Sequence, residues 1–581
     1  MKKNSILIST LMAALSLSLI ACGGGSSSSS GSEPSSATSE SSSSQDTSSA
    51  SESESSAESS SQEITPYDYD DSHLVQASGF DYTTTYRAMR INGTGYSAEQ
   101  YSEVKNEQGK KKYVISDVRA LVVPVDFLDY PAENLPLGAE GTQAQLQQMM
   151  FGDSSEMAWY SLAGYYASSS FGTCNITGDV TDWYHVDAKV ADYAKEHGTA
   201  GANKVAIAIQ DSYRSKYTKA KSAGDKEAME KYDLTRYDAN KDGYVDSIIM
   251  IYSAPITTTG ELQWAFCSSV PGAWGKYNPT LEGANRFFWA SYWFFYDNYL
   301  DHKTKPYGIP QTLIDGIIDG TIEMDAHTMT HEYGHVLGLP DYYITDYNTS
   351  DFDGLGYLDM MDYNIGDHNA MSKSFYGWIE PKYVTGSVKT TLRSTTTTGD
   401  YIIIPIQGEY KNTLLDQYIM IEFLTPEGVA EYDGKQPFGG NYPLYYNEAG
   451  VRVTQVDARL GLYTYSSATK EYSFSGFTNS TNRPSTDSYI STACENTATE
   501  SCFKDYKLIE ILPSNGRSIK YKGAADNSCL FHVGDSFGAN GIYENYMMHD
   551  VSGGKTVPLG FKFSIDKMDG NNSVDITITK I

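Results

Sequence analysis

The spacing of apolar residues predicts a mixed α/β region over residues 118–385. Unbroken apolar runs at Ala120 to Phe127 and Ser247 to Tyr252, bounded by charged or turn residues, indicate buried strands. Apolar residues at helical spacing occur in Glu156 to Ser169 and again over residues 205–209. Because helices alternate with buried strands, we expect a single α/β unit here.

The pattern changes beyond residue 385, where helical spacing fades and apolar and polar residues alternate. Clusters of Gly, Pro, Asn and Asp separate these alternating runs, as in antiparallel sheets. Residues 386–581 are therefore expected to form an antiparallel, β-rich, sandwich-like domain. The runs are Tyr401 to Ile406, Gln417 to Phe423, Val451 to Val456 and Val574 to Ile578.

The N-terminal stretch predicts export. Lys2 and Lys3 precede a mostly apolar run, Ile6 to Ile20, that is too short to remain as a spanning helix, so residues 1–21 are expected to be a signal peptide. The run ends in Leu-Ile-Ala-Cys, which is similar to a bacterial lipobox and predicts lipidation of Cys22. A lipid there would anchor the protein to the bacterial cell envelope, facing the exterior or the periplasm. Ordinary cleavage with release is the alternative.

Two segments separate this signal from the α/β region. Residues 22–62 are almost entirely Ser, Gly, Glu and Ala, which predicts a disordered linker that holds the folded part away from the membrane. Residues 63–117 are polar and Tyr-rich without strong periodicity. They form either an N-terminal extension or a pro-segment, and the pattern does not decide between the two.

Charge and cysteine content exclude some functions. The formal net charge of −30 argues against a nucleic-acid partner, because phosphate binding requires clustered Lys and Arg. The six cysteines include no C-x-x-C pair, so a cysteine zinc site is not expected. Cys494 and Cys502 are close enough in sequence to close a small disulfide loop in an exported protein.

The sequence His331-Glu332-Tyr-Gly-His335 carries the strongest chemical signal. Histidines four residues apart lie one turn apart on the same helix face, so both imidazoles can reach one metal ion. Glu332 projects beside them. The alternative is an amphipathic helix whose histidines are satisfied within the core.

The residues that follow supply a third candidate ligand. Gly338 can end the helix with a positive φ, and Pro340 prevents its continuation, so the backbone returns toward the metal at Asp341. Zinc held by two histidines and Asp341 would keep a fourth position for water. Glu332 would deprotonate that water as it attacks a peptide carbonyl, and would then pass the proton to the leaving amine.

Further residues near this run are candidates for supporting roles. Met361 is predicted to form an apolar floor beneath the metal, and the Tyr363 hydroxyl to stabilise the oxyanion. Both are alternatively ordinary turn and core residues. His327 lies one turn before His331 and is expected to be a supporting or core residue. If Asp341 is not the ligand, the reserve candidates are Asp359, Asp362 and His368.

A second metal site is predicted in an acidic loop ahead of Ser247. Oxygen-bearing residues recur at alternate positions with glycine at the sixth, as in a calcium loop of the EF-hand kind. The twelfth position is Ile249 instead of Glu, so the loop is shortened, and a plain Asx-rich turn is the alternative. The expected Ca²⁺ ligands are Asp238, Asn240, Asp242, Tyr244 and Asp246.

The run from His331 to Asp341 resembles that of the immune inhibitor A-type secreted zinc metallopeptidases, relatives of the metzincins. That family shares H-E-x-G-H-x-L-G-L-P-D followed by a Trp/Leu-Asp-x-Met element. Lys373 to Trp378 resembles its K-x-x-x-G-W element, and the similarity extends over residues 118–460. The resemblance implies a metzincin-like (zincin-type) catalytic domain. Leu358, where the family usually carries Trp, and Tyr363, where a small residue is common, are departures.

These observations predict a zinc-dependent endopeptidase that hydrolyses extracellular proteins or peptides. The substrate is expected to lie along an edge strand at Phe287 to Phe295, beside the His331 helix. The first alternative is a cell-surface binding protein or adhesin with a vestigial zinc site, although binding alone does not require Glu332. The second is a glycan-acting enzyme, which would depend on paired carboxylates. The aromatic-rich C-terminal region keeps a carbohydrate contact possible as a side role.

Overall fold

The structure, a computed structural model, describes most of the chain beyond residue 67. The expected signal peptide, the lipidation site Cys22 and the linker 22–62 all lie outside the described residues. The structure describes residues 68–581 except 78–100, 106–108, 110, 199, 242, 244, 257–263, 270–285, 301–307, 344–353, 412, 438–441, 470, 480–483, 486–487, 495, 497–506, 518, 520–522, 539–541 and 550–555.

Strands and helices alternate in the first half of the described chain, and strands dominate the second. The strands are β1 Leu74–Gln76, β2 Tyr101–Lys105, β3 Lys111–Ile115, β4 Asp117–Phe127, β5 Asn175–Val180, β6 Tyr184–Val186, β7 Ser247–Tyr252, β8 Phe266–Ser269, β9 Arg286–Ser291, β10 Lys382–Val384, β11 Val388–Arg393, β12 Tyr401–Pro405, β13 Gln417–Leu424, β14 Gly450–Asp457, β15 Leu460–Ser466, β16 Glu471–Thr478, β17 Ser488–Thr492, β18 Ile509–Ile511, β19 Ser536–Phe537, β20 Met547–His549, β21 Thr556–Pro558, β22 Phe561–Asp569 and β23 Ser573–Lys580. The α-helices are α1 Gly138–Phe151, α2 Leu162–Ser169, α3 Val190–His197, α4 Ala200–Ala223, α5 Lys226–Lys231, α6 Gln311–Asp319, α7 His327–Val336, α8 Met360–Tyr363, α9 Ala370–Phe375, α10 Thr395–Thr398 and α11 Val429–Lys435.

The first half is organised by a mainly parallel sheet in the order β5-β4-β7-β9-β8, with β6 also paired to β4. Strand β4 is buried on both faces, which explains its unbroken apolar run. Alternate residues of β4 enter two different hydrophobic cores. Val118, Ala120 and Val122 face the core that includes α7, whereas Leu121, Val123, Val125 and Phe127 face the core that includes α4. The mixed α/β prediction is therefore confirmed.

The predicted edge strand at Phe287 to Phe295 is wrong. Strand β9 ends at Ser291 and lies between β7 and β8, so it is an interior strand with buried residues on both faces. A 3₁₀-helical segment, Tyr292–Tyr299, follows it, and the Ser291 side chain caps that segment by accepting a hydrogen bond from Trp293 N. The outer strand on this side is β8, which runs antiparallel to β9.

Two further sheets share a hydrophobic core in the second half. One has the order β1-β10-β12-β13-β14-β18 and the other β11-β23-β22-β19. Ile404 and Ile421 of the first sheet and Phe563 and Ile576 of the second belong to this common core. The pairing is antiparallel except between β10 and β12, which run parallel, so the region departs in part from the expected antiparallel pattern.

The six-stranded sheet of the second half also packs against the first half of the chain. Side chains on one face of its strands, including Ile403 and Met420, join the core that contains α2 and α7. Neighbouring residues such as Ile402 and Ile419 point to the opposite face and enter the other core. This sheet is consequently a wall shared by both halves, and the domain boundary expected near residue 385 stays a prediction.

The described N-terminal residues pair with, or form hydrogen bonds to, later parts of the chain. Strand β1 pairs with β10 at the edge of the six-stranded sheet. The β2-β3 hairpin is held by Tyr101, whose hydroxyl donates to Phe375 O, and by Trp378 Nε1, which donates to Ile115 O at 2.8 Å. Whether residues 63–117 serve as a pro-segment stays a prediction. None of the helices in the described ranges combines the length and apolar character needed to cross a membrane.

We expect Gly377→Ala to destabilise the fold more than Gly320→Ala. Both glycines have positive φ, +77° and +74°, so alanine at either costs about 1–2 kcal/mol in backbone strain. Only at Gly377 would the new Cβ also meet backbone, at 2.4 Å from Tyr113 O, whereas nothing lies within 4 Å at Gly320. Chemical denaturation of the two variants measures the difference. Equal losses in the free energy of unfolding would mean that the β2-β3 hairpin does not pack on residue 377.

Candidate metal centre

Helix α7 and the turn after it bring the candidate ligands together. Every residue of α7 is buried, which places His331 and His335 inside the protein and not on a solvated helix face. The helix ends where Gly338 adopts a φ of +111° and Leu339 N bonds back to Gly334 O. This reversal directs Asp341 back toward the two imidazoles.

Three ligand atoms from these residues converge. His331 Nε2 and His335 Nε2 lie 3.2 Å apart, and Asp341 Oδ1 lies 3.0 Å from the first and 3.2 Å from the second. All three side chains are buried, with 0 % exposure. In the part of the chain that the structure describes, they form the one group of metal-ligand side chains this close together.

The hydrogen bonds around this cluster indicate which atoms face its centre. His331 Nδ1 donates to Met360 O at 2.7 Å, and His335 Nδ1 donates to Leu339 O at 2.8 Å. A neutral imidazole that donates from Nδ1 presents a lone pair at Nε2. Neither carboxylate oxygen of Asp341 has a hydrogen-bond partner among the described residues.

The cluster consequently has the chemistry of a cation site. Two imidazole lone pairs and a carboxylate within 3.2 Å would repel one another in a buried place unless a positive charge lay between them. Glu332 is fully buried on the same helix, next to His331.

The predicted floor residue, Met361, packs against the ligand-bearing helix. A Cβ added at Gly334 would lie 2.4 Å from Met361 Sδ, so the glycine between the two histidines makes room for this thioether. Met361 O accepts from Tyr342 N at 2.8 Å, which connects the methionine to the residue after Asp341. The methionine therefore lies against the helix that carries both imidazoles.

Tyr363 is part of an aromatic stack. Its ring lies 4.4 Å from that of Tyr357, tilted by 26°, and 4.9 Å from that of Tyr442, between centroids. The predicted role of the Tyr363 hydroxyl toward an oxyanion stays a prediction.

The three reserve ligands do not belong to the cluster. Asp362 Oδ2 accepts from Leu355 N and Tyr357 N, so it shapes the turn before α8. Asp359 accepts from Met361 N at 2.9 Å, and burial raises its pKa to about 7, against the opposing effect of Arg452. His368 is buried among aromatic rings, and this burial holds its pKa well below the usual range.

His327 has a supporting role at the start of the same helix. Its ring stacks on Trp159 at 3.5 Å between centroids, and its two nitrogens donate to Asp325 Oδ1 at 2.5 Å and Asp433 Oδ1 at 3.1 Å. Burial acts to lower the pKa of His327, but the two carboxylates outweigh it and raise the value to about 9. A buried imidazolium thus links α7 to Asp433 on α11.

The described part of the predicted calcium loop does not support a bound ion. Asp238 Oδ2 accepts from Gly243 N at 3.0 Å, and Asp246 Oδ2 accepts from Arg119 N at 2.7 Å and Ala239 N at 3.2 Å. Asn240 Nδ2 donates to Tyr101 O. These contacts are typical of an Asx-rich turn. Asp242 and Tyr244 lie outside the described residues, as does Cys502 of the expected disulfide loop.

Sequence reasoning missed three buried residues that contact the segments around the cluster. Asp433 accepts from His327, Arg452 donates to Leu358 O, and Glu422 accepts from Ala370 N. All three follow residue 400, far from α7 in sequence. A charged residue within an otherwise apolar strand, as at Glu422 and Arg452, is the one signal that would have suggested them.

A helix with two histidines on either side of Glu332, followed by a converging acidic side chain, is the arrangement expected of a metallopeptidase. Comparison with known proteins agrees: residues 104–257 match the family model described as the catalytic domain of immune inhibitor A peptidase M6. The chain is also similar to immune inhibitor A of Bacillus thuringiensis subsp. alesti, with 26% identity over 275 residues that cover 42% of this chain. Both matches support the resemblance to the immune inhibitor A peptidases that the sequence motifs predict.

Both matches cover only part of the proteins compared. The aligned part covers 36% of the Bacillus thuringiensis protein. The family match ends before α7, so it supports the family from a part of the chain that holds neither His331 nor Asp341. The ligand set therefore rests on the geometry described above.

We expect Asp341→Ala to lose metal and His368→Phe to retain it. Removing the carboxylate takes away one of three converging ligands, whereas His368 is a buried imidazole outside the cluster. Metal content after dialysis, measured by inductively coupled plasma mass spectrometry, distinguishes the variants. Full metal content in Asp341→Ala would exclude this residue as a ligand.

We also expect the His327 imidazolium to make stability depend on pH. The pKa of His327 is raised from 6.5 to about 9 in the folded state. The contribution of the imidazolium to the free energy of unfolding is therefore complete below pH 6.5 and is lost as the pH rises to 9. His327→Gln should flatten that part of the stability profile, measured by chemical denaturation between pH 6 and pH 9.5. His532→Gln, at a half-exposed histidine, is the control and should follow the parent protein. A profile unchanged by His327→Gln would contradict the charged state.

Proposed function

We propose that the chain is a zinc-dependent endopeptidase that hydrolyses peptide bonds of extracellular proteins. The observation that carries this proposal is the buried convergence of His331, His335 and Asp341 beside Glu332. Two imidazole nitrogens and one carboxylate are a donor set that zinc prefers, and three protein ligands are typical of catalytic zinc. The similarity of the chain to a peptidase family supports the same activity.

The chain's own residues divide the chemistry among them. His331, His335 and Asp341 would hold the metal, which when bound supplies a Lewis acid that polarises the scissile carbonyl and acidifies water. Glu332 would take the proton of the attacking water and deliver it to the leaving amine. Met360 O and Leu339 O keep the two imidazoles in one tautomer and orientation.

Strand β8 is the proposed binding edge for the substrate. It packs beside α7 and, within the described ranges, pairs with β9 on one side alone. An extended peptide could add to its outer edge through main-chain hydrogen bonds, which would lay a scissile bond across the end of α7. This strand replaces the interior strand β9 in that role.

The place of action is part of the same proposal. A lipid on Cys22 and the linker 22–62 would hold the peptidase at the bacterial envelope within reach of protein substrates. A structural Ca²⁺ ion and a carbohydrate contact in the C-terminal region stay predictions without support from the described contacts.

We expect Glu332→Gln to abolish most peptidase activity while zinc stays bound. Loss of a general base typically lowers the rate by about 10²–10⁴-fold, and the amide leaves the three ligands in place. Hydrolysis of casein with and without a chelator, alongside zinc content, measures both properties. Glu323→Gln makes the same chemical change at an exposed residue ahead of α7 and should leave activity unchanged. Retained activity in Glu332→Gln, or activity indifferent to chelator, would contradict the proposal.

A further inference from the structure

A buried ion pair in the shared six-stranded sheet lies beside the metal-centre segments. Glu422 on β13 and Arg452 on β14 are opposite each other in the strand register, and each is 1 % exposed. Arg452 Nε donates to Glu422 Oε2 at 2.9 Å, and Arg452 Nη2 donates to Oε1 at 3.0 Å. The pair is therefore bidentate and fully removed from solvent.

Each partner makes one more hydrogen bond, and both bonds reach out of the sheet. Arg452 Nη1 donates to Leu358 O at 3.2 Å. Glu422 Oε1 accepts from Ala370 N at 2.9 Å. Leu358 and Ala370 are the two ends of the segment that contains α8, so the ion pair holds this segment at both ends.

The same segment carries the acceptor that orients one ligand. Met360 O, two residues after Leu358, accepts the Nδ1 proton of His331 at 2.7 Å. Asp359 closes the segment internally, because its carboxylate accepts from Met361 N at 2.9 Å and from Asn369 N at 2.9 Å. A shift at Leu358 would consequently move the carbonyl that sets the orientation of the His331 ring.

Stability alone does not explain this buried ion pair. Burying an ion pair costs desolvation that its Coulomb attraction often fails to recover, and apolar side chains of similar size frequently stabilise a core as well or better. The feature that apolar residues could not supply is the pair of hydrogen bonds to Leu358 O and Ala370 N.

We propose that Glu422 and Arg452 are positioning residues for the metal centre, which act through the segment 358–370 and Met360 O on His331. The inference rests on the proposed zinc function, since it names residues that support that site. It follows that the centre depends on residues beyond 386 and that residues 118–385 alone would hold zinc weakly.

The test is the double variant Glu422→Leu/Arg452→Met of the full chain. Replacing both residues leaves neither charge of the pair buried without its partner, so the fold should persist, while both hydrogen bonds to the segment are lost. Because Arg452 also opposes the raised pKa of the buried Asp359, we expect the Asp359 carboxyl to become neutral in this variant. Loss of such an outer partner typically weakens metal affinity by about 10–100-fold. Zinc affinity is measured by competition with a chromogenic chelator, and ligand geometry by the visible spectrum of the Co²⁺-loaded protein.

A matched control is available at the end of β14. Asp457 and Arg459 form a second buried bidentate pair, with distances of 2.8 and 2.7 Å, and Asp457 also accepts from Gln417 Nε2 at 2.8 Å. The control variant is Asp457→Leu/Arg459→Met. We expect it to keep the zinc affinity and Co²⁺ spectrum of the parent, while the Glu422/Arg452 variant loses affinity and changes the spectrum.

The conservative variant Arg452→Lys covers the case in which the double variant does not fold. It keeps a positive charge near Glu422 but loses the planar donor set that reaches Leu358 O, so zinc affinity should fall by an intermediate factor. Parent-like zinc affinity and Co²⁺ spectrum in whichever variant folds would overturn the inference. If the parent protein binds zinc but cleaves no protein, the proposed function is wrong. The positioning role is then still tested by the zinc affinities of the variants.

Discussion

The constraint on which the rest of the site depends is electrostatic. Three electron-pair donors, His331 Nε2, His335 Nε2 and Asp341 Oδ1, lie within 3.2 Å of one another in a place without solvent. Such an arrangement is unfavourable without a cation and favourable with one. The break in the helix at Gly338 and the backbone carbonyls that hold both Nδ1 atoms are local features that create this convergence.

The convergence is supported by the wider architecture. One face of the six-stranded sheet is a wall of the core that contains α7, and the other face packs on the second sheet. Three buried charged residues from this half, Glu422, Arg452 and Asp433, make hydrogen bonds to the segments that surround the ligands. The β-rich half is therefore structurally continuous with the candidate site.

Features encoded in short stretches of sequence were predictable. The apolar runs that predicted strands at β4, β12, β13 and β14 correspond closely to observed strands. The last three are buried at every position, so they lack the half-exposed alternation expected of them. The His-Glu-x-x-His spacing likewise brings two imidazoles together through helix geometry alone. The resemblance to the immune inhibitor A peptidases was recognisable from the same motif, and the comparisons support it.

Features that depend on pairing between distant segments were not predictable. An apolar strand such as β9 has the same pattern at an edge or in the interior, because order within a sheet is decided by tertiary contacts. Nothing local shows that β1 pairs with β10, or that Arg452 reaches Leu358 O. The hydrogen bond that Asp246 accepts from Arg119 N also joins residues that are remote in sequence.

The most direct test of the central claim is a crystal structure of the zinc-loaded protein with anomalous diffraction measured at the zinc edge. The account predicts one strong peak within about 2.0–2.2 Å of the two Nε2 atoms and an Asp341 oxygen. A peak bound by a different set of side chains, or no peak between His331, His335 and Asp341, would contradict it.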